Sequence, residues 1–278
     1  MTIRSVETLD DPLLQPYRTL RRPLEHQREG LFVADGEKVV RRLLESTLDV
    51  ISLLLTPEWL EVYQPIVQSR AGGAQIFVAP KSVVESIVGF NLHQGIMAVA
   101  RIPKPPSLAE VVQGSHRPTL LVAVDGLTNS ENLGVLVRNC AAFDADALLV
   151  GETSSSPYLR RAVRNSMGTV FRLPIVQLSN LIDAIREMRS RYGIHVVAAH
   201  PHTDQKSLHQ SSFSGGCCIV FGSEGEGVSA DVLAACDESV AIPMKKGVDS
   251  LNVASASAVF LSEILRQRNN SRFGGGGR

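Results

Sequence analysis

No stretch of the 278-residue chain carries the ~20 successive apolar residues that a membrane-spanning helix needs. A secretory signal is equally absent, because the opening Met1-Thr-Ile-Arg-Ser-Val-Glu7 lacks the basic-then-apolar pattern. A soluble protein is therefore expected. Net charge is missing too: 28 basic side chains stand against 28 acidic ones, so no field over the whole molecule draws in a polyanion, and such contacts have to come from local clusters. Cysteine is scarce. Cys140, Cys217, Cys218 and Cys236 form no C-x-x-C pair, and three of them sit in the apolar surroundings typical of buried free thiols. A reducing cytoplasm is the expected compartment.

What is present is an alternation of short apolar strands and amphipathic helices, with 44% hydrophobic residues to build a core. Strands are predicted at residues 31–34, 50–56, 76–79 and 96–100, with helices at 37–45 and 58–69 and a basic helix over 13–29. This is the pattern of a small α/β sandwich. The prolines of Arg101-Ile-Pro-Lys-Pro-Pro106 then break the periodicity. The boundaries that follow are a first domain over 1–103, a linker over 104–116 and a second domain over 117–270. In the second domain strands are predicted at 120–124, 147–150, 194–199, 218–221 and 240–242, apolar on both faces as in a parallel sheet covered by helices. Helices are expected at 131–143, 157–166, 181–192, 230–236 and 251–267. The glycine-rich end, 271–278, has nothing to bury and is expected to be disordered.

Two loops carry the strongest signal: Phe221-Gly-Ser-Glu-Gly-Glu-Gly-Val-Ser229 and Ile242-Pro-Met-Lys-Lys-Gly-Val-Asp-Ser-Leu-Asn-Val253. Each follows a short apolar run, where exposed backbone groups are able to grip a polar ligand. The common nucleotide sites do not fit. The turn after the first strand of this domain, Asp125-Gly-Leu-Thr-Asn-Ser-Glu-Asn-Leu-Gly134, fails G-x-G-x-x-G, and no G-x-x-x-x-G-K-[ST] occurs anywhere. His200, His202 and Asp204 share a loop but lack further partners, so no metal is assigned.

Taken with Asn132-Leu-Gly-Val-Leu-Val-Arg138, these loops resemble the three motifs of the SpoU (TrmH-like) RNA 2'-O-ribose methyltransferases, of the SPOUT class. Pro157-Tyr-Leu-Arg-Arg-Ala-Val-Arg-Asn-Ser-Met-Gly168 is similar to the family as well. Upstream, Phe32-Val-Ala-Asp-Gly-Glu-Lys38 and His93-Gln-Gly-Ile-Met-Ala98 resemble the substrate-binding domain, related to a ribosomal protein, that many members carry.

The resemblance implies a parallel-sheet catalytic domain with a deep trefoil knot, S-adenosylmethionine as cofactor, and a homodimer formed through that domain. It places the adenosyl part near Gly222, Ile242 and Leu251, with Ala198 and Ala199 adding to the pocket wall. Arg138 is the implied base or, equally, an electrostatic stabiliser of the developing alkoxide, since a free arginine has a pKa above ~12. Asn132 is implied to orient Arg138 or a substrate phosphate, Glu224 to fix the site, and Ser250 and Asn252 to cap the cofactor loop and touch the ribose. Each has a plainer alternative: Asn132 as a helix cap, Arg138 as a solvated surface residue, Glu224 as a turn residue, Ser250 as the N-cap of the last helix.

Arg160, Arg161 and Arg164, in a segment without acidic residues, and Lys245 with Lys246 beside the cofactor loop are candidates for RNA phosphate contacts. A solvated basic helix face is the commoner use of such clusters. Asp35 stands where many relatives have glutamate, and Leu127 to Glu131 lacks the proline or arginine frequent before Asn132. The expected activity is methylation of a ribose 2'-hydroxyl in structured RNA, rRNA before tRNA. The alternatives are a catalytically silent RNA-binding or ribosome-assembly factor and an enzyme that modifies rRNA to exclude an antibiotic.

Overall fold

The computed structural model describes residues 2–20, 22–70, 73–88, 95–115, 118–201 and 206–273. The chain divides into two units: Met1–Lys104 with Pro157–Arg172, and Pro105–Ser156 with Leu173–Arg278. The segment around Arg160 thus groups with the first unit, although the sequence boundaries draw it within the second domain.

The first unit runs β1 (Thr2–Ser5), α1 (Gln15–Arg18), α2 (Pro23–Arg28), β2 (Leu31–Asp35), α3 (Glu37–Leu44), β3 (Val50–Leu55), α4 (Pro57–Arg70), β4 (Gln75–Val78), α5 (Lys81–Val88) and β5 (Ile96–Arg101). Its sheet has the order β1-β4-β3-β5-β2, with β5 antiparallel to both neighbours. The single long helix predicted over 13–29 is instead broken into short turns. Pro12, Pro16 and Pro23 each sit in a first turn, where the missing N–H costs nothing, and none is tolerated further inside. Strand β1, which the sequence reading passes over, is a short outer strand paired parallel to β4. The core closes over Leu14, Tyr17, Val33, Leu54, Phe77 and Met97, and the buried Tyr17 hydroxyl is matched to Ser52 Oγ at 2.8 Å.

The second unit contains α6 (Leu108–Gly114), β6 (Leu120–Val124), α7 (Ser130–Ala142) and β7 (Ala147–Val150); the chain then contributes α8 (Arg160–Asn165) to the first unit. It returns with β8 (Ile175–Gln177), α9 (Leu181–Tyr192), β9 (His195–Ala199), β10 (Lys206–Ser207), β11 (Cys217–Phe221), α10 (Ala230–Ala235), β12 (Glu238–Ala241) and α11 (Val253–Phe273). All pairings in the sheet, β10-β12-β9-β11-β6-β7-β8, are parallel. Strand β11 enters between β9 and β6, both of which precede it in the chain. Strands β8 and β10 are too short, at three and two residues, to stand out by periodicity.

Burial pushes the Cys217 thiol up to about 11 and the Cys236 thiol up to about 12, and those of Cys140 and Cys218 upward too. All four are free thiols, and the upward shift lowers the thiolate fraction that thiol chemistry needs. No helix among the described residues is long and apolar enough to cross a membrane.

Helix α11 begins at Val253 and continues to Phe273, so residues 271–273, expected in the tail, are helical, while 274–278 lie outside the described residues. The reading of a helix ending at 267 follows from the loss of apolar residues after Leu265. Hydrogen bonds hold the polar last turns instead. The Arg268 guanidinium donates to the carbonyls of Pro118 (2.6 Å), Thr119 (3.1 Å), Phe213 (3.1 Å) and Gly215 (2.9 Å). One side chain therefore ties the last helix to the amino ends of β6 and β11. Arg268→Ala strands these acceptors and is expected to cost about 2–3 kcal/mol, seen as a loss of roughly 4–12 °C in a thermal melt.

Candidate active site

The parallel strands deliver their carboxyl ends to one edge of the sheet, where ligands bind in α/β folds. Three loops meet there. After β6, Asp125 receives the Ser229 N–H on its carboxylate at 2.8 Å, and its own N–H bonds the Phe221 carbonyl at 2.9 Å. This pins the loop 222–229 to the neighbouring strand. Within that loop Ser223 and Gly227 exchange backbone hydrogen bonds of 3.0 and 3.1 Å, forming a tight hairpin. After β7, Ser154 Oγ reaches the Leu127 N–H and the Val124 carbonyl, and Ser155 Oγ bonds the Thr128 carbonyl at 2.8 Å. These bonds set the approach to α7.

Between the hairpin, the ends of β9 and β12, and the loop before α11 lies a cavity of about 280 Å³. Its apolar wall is Phe221, Val240, Ile242, Met244, Leu251 and Phe260; Gly222, Ser223, Glu224, Ser250 and Asn252 add polar groups. Of the residues expected around a cofactor, Gly222, Ile242, Leu251 and Ala199 line it. Ala198 does not: its side chain is buried in the core with Leu121, Ala123 and Val220. The alternation of a strand sends only one of two adjacent side chains to a given face.

The polar rim is a directional chain of side chains. Asn252 precedes α11 and its Oδ1 accepts the N–H groups of Ala254 (2.9 Å) and Ser255 (3.4 Å), which makes it the helix cap. That fixes its amide nitrogen towards Asn132 Oδ1, to which it donates at 3.0 Å. Asn132 Nδ2 in turn donates to Glu224 Oε1 at 2.8 Å. The two plainer readings of these motifs are not met. Helix α7 is capped by Asn129, whose side chain accepts from Glu131 and Asn132 N–H groups, and α11 by Asn252 rather than Ser250. Neither Asn129 nor Asp125 was singled out as a site residue. Asp125 acts on the backbone of a loop 104 residues away, which spacing does not reveal, whereas Asn129 caps its own helix and its signal is local, an asparagine two residues before Glu131.

Arg138 is exposed on α7 and engages no acceptor among the described residues. It is absent from the cavity wall, on an outer strip of the helix with Glu131 and Val135. Its neighbour Asn139 faces α11 instead, donating to the Ala254 carbonyl (2.7 Å) and Ser257 Oγ (2.9 Å). Lys245 and Lys246 are exposed on a turn at Gly247, next to the wall residue Met244. Arg160 is not a free basic group: its guanidinium is 2.7 Å from the buried Asp35 carboxylate. His202 and Asp204, set aside as metal ligands, lie outside the described residues, as does His93.

A pocket at the carboxyl ends of a parallel sheet, walled by apolar side chains and rimmed by oriented amides and a carboxylate, defines an α/β enzyme domain. Residues 119–262 match the profile of the SpoU rRNA Methylase family. An uncharacterized tRNA/rRNA methyltransferase of Mycobacterium bovis is 32% identical over 96% of this chain and 93% of its own length. The 23S rRNA (guanosine-2'-O-)-methyltransferase RlmB of Ralstonia nicotianae is 32% identical over 72% of this chain and 80% of its own. Among solved structures, the SpoU methyltransferase AviRb from Streptomyces viridochromogenes superposes with a TM-score of 0.80 at 25% identity, covering 92% of this chain and 97% of that one. AviRb is also known in complex with the cofactor AdoMet. The chain belongs to the SpoU rRNA methylase family, and is thus a methyltransferase.

Proposed function

We propose that this enzyme transfers the methyl group of S-adenosylmethionine to a ribose 2'-hydroxyl of structured RNA, with rRNA preferred to tRNA. The observation that carries the reading is the Asn252–Asn132–Glu224 chain at the mouth of the cavity. It presents a carboxylate of fixed orientation where a hydroxyl would enter.

The residues present suit the cofactor. Ile242, Met244 and Leu251 offer an apolar surface for a purine, and the backbone of the 222–227 hairpin lies open to the cavity for polar groups. When bound, S-adenosylmethionine supplies an electrophilic sulfonium methyl. The protein's part is to hold the hydroxyl in line with it and to stabilise charge as the proton leaves. Glu224 orients the hydroxyl, and Ser250 and Asn252 sit beside the ribose. The exposed guanidinium of Arg138 acts on the alkoxide or the adjoining phosphate as an electrostatic stabiliser.

The trefoil knot belongs to the same reading, with β11 inserted between β9 and β6 and α11 following the loop that closes the pocket. So does a homodimer through the methyltransferase domain, which light scattering after size exclusion tests directly. Transfer of radiolabelled methyl groups to rRNA and tRNA pools, followed by nuclease mapping, tests the reaction. Donor binding without transfer to either pool would overturn it.

The direction of the amide chain gives a sharper check. Asn252→Asp keeps an acceptor for the α11 N-terminus, so stability is retained, but it places an oxygen against Asn132 Oδ1. Asn132 then turns and presents oxygen to Glu224. The expected result is an unchanged melting temperature with kcat lowered roughly 100-fold, read from single-turnover kinetics.

A further inference from the structure

The wall of the cavity is uneven in charge. Among its described lining residues Glu224 and Glu226 are carboxylates, His200 is the one other titratable side chain, and neither lysine nor arginine takes part. Lys245, Lys246 and Asp249 are exposed on the adjoining loop and stay outside the wall. The two glutamates are held differently. Glu224 is committed through its side chain to the Asn132 amide at 2.8 Å. Glu226 is fixed through its backbone, its N–H on Ser223 Oγ at 3.2 Å, and its side chain is left exposed at the edge of the cavity. Orienting the acceptor hydroxyl uses Glu224 alone and leaves the second carboxylate without a task.

The size of the cavity makes this asymmetry felt throughout. A space of about 280 Å³ is only ~7 Å across, shorter than the Debye length of ~8 Å at physiological ionic strength. A charged ligand group inside therefore interacts with both carboxylates wherever it lies. The methyl donor has such a group: its sulfonium is a fixed cation, while its ammonium and carboxylate cancel. Methyl transfer removes that charge. The S–CH3 bond breaks with its electron pair left on sulfur, the acceptor oxygen gains the methyl, and the hydroxyl proton goes to water. The product, S-adenosylhomocysteine, is a thioether of no net charge, otherwise the donor less one methyl group.

We propose that Glu226 determines specificity between donor and product, favouring the cationic S-adenosylmethionine over the neutral S-adenosylhomocysteine by charge. This rests on the cavity holding the donor, and it adds how spent cofactor is told from fresh. An apolar wall alone separates the two by a single methyl, a difference of about fourfold. A negative wall acts on the atom that changes. Because the Glu226 side chain is exposed, its effect is several-fold rather than hundredfold, and it weakens as salt rises.

The test is titration calorimetry of the full-length protein with each ligand at low salt, read as the ratio of product to donor dissociation constants. Glu226→Gln is expected to lower that ratio about threefold and Glu226→Lys about tenfold, through weaker donor binding, with product affinity within about twofold of the parent. In ~0.5 M salt the variants should differ from the parent by less than about twofold. The hairpin tip accepts such changes, since a methyl at the adjoining Gly225 meets nothing within 4 Å. An analogue with an ammonium group in place of the methyl sulfonium supplies a cation that cannot react, and it should follow the donor. An unchanged ratio in both variants overturns the proposal. So does an equal loss of donor, product and analogue affinity, which makes Glu226 a wall residue only, and so does an analogue that follows the product. A parent protein that binds neither S-adenosylmethionine nor S-adenosylhomocysteine defeats the assignment of the cavity itself, and this role of Glu226 with it.

Discussion

Alanine at Gly222 is expected to abolish methyl-donor binding while leaving the sheet folded. A Cβ built on Gly222 would lie 1.9 Å from the Gly227 carbonyl carbon, 2.1 Å from its oxygen and 2.1 Å from the Val228 nitrogen. All three are backbone atoms, and no rotamer change relieves such an overlap. The hairpin has to open, breaking the Ser223–Gly227 pair and moving the wall that carries Glu224. A displacement of ~1 Å in an active site costs on the order of 100-fold, and a wall lost from a small pocket costs more. Calorimetry with S-adenosylmethionine should show affinity lowered by more than about 100-fold, with far-ultraviolet circular dichroism unchanged. Near-normal donor affinity would mean that this hairpin is not the cofactor wall. The same methyl at Gly225 meets nothing within 4 Å, so Gly225→Ala should keep the hairpin and the melting temperature of the parent.

Arg138→Ala is expected to lower kcat by about 10²–10³-fold, the usual loss when one preorganised donor is removed from developing negative charge. Because Arg138 stands outside the cavity, affinity for S-adenosylmethionine should change less than about threefold. The pairing of results is what discriminates. A fall in kcat with donor binding intact places Arg138 on the acceptor side of the reaction. Arg138→Lys separates the two roles further. A stabilising charge is partly retained by lysine, whereas fork geometry on a phosphate is not. Rescue to within about tenfold of the parent would favour simple charge stabilisation. An enzyme unaffected by either change would remove Arg138 from the mechanism.

Nine of the strands are readable in advance because each holds an apolar run, as at Leu31–Asp35 and Cys217–Phe221; β1, β8 and β10 are not. What escapes is held by long-range bonds. Helix α11 continues past its apolar pattern because Arg268 finds four carbonyls, and strands of two or three residues exist only because a neighbour already lies alongside. The site shows the same division. Glu224, Asn132 and Asn252 stand out as motif members, but their mutual hydrogen bonds span 92 and 120 residues, which spacing cannot express. Ala198 and Ala199 look alike in sequence, and only the facing of β9 assigns one to the core and the other to the cavity. The arginines of α8 read as a basic segment without acidic residues inside the second domain. That α8 instead belongs to the first unit, with Arg160 committed to Asp35, depends on a chain excursion that local pattern does not encode.

Strand β11 occupies the slot between β9 and β6, and its register with β6 pairs Cys217 with Leu120 and Phe221 with Val124. The strand that carries the glycine hairpin therefore joins the β10-β12-β9 side of the sheet to the β6-β7-β8 side. Pairings this distant along the chain close slowly, since their entropy is lost before their contacts repay it. Until β11 is seated, Gly222 and Glu224 have no neighbouring strand to position them, and Asn132 has no partner across the cavity. A half-formed molecule accordingly has no pocket, and the methyl donor becomes a reporter of completed folding: whatever binds it has already closed its sheet.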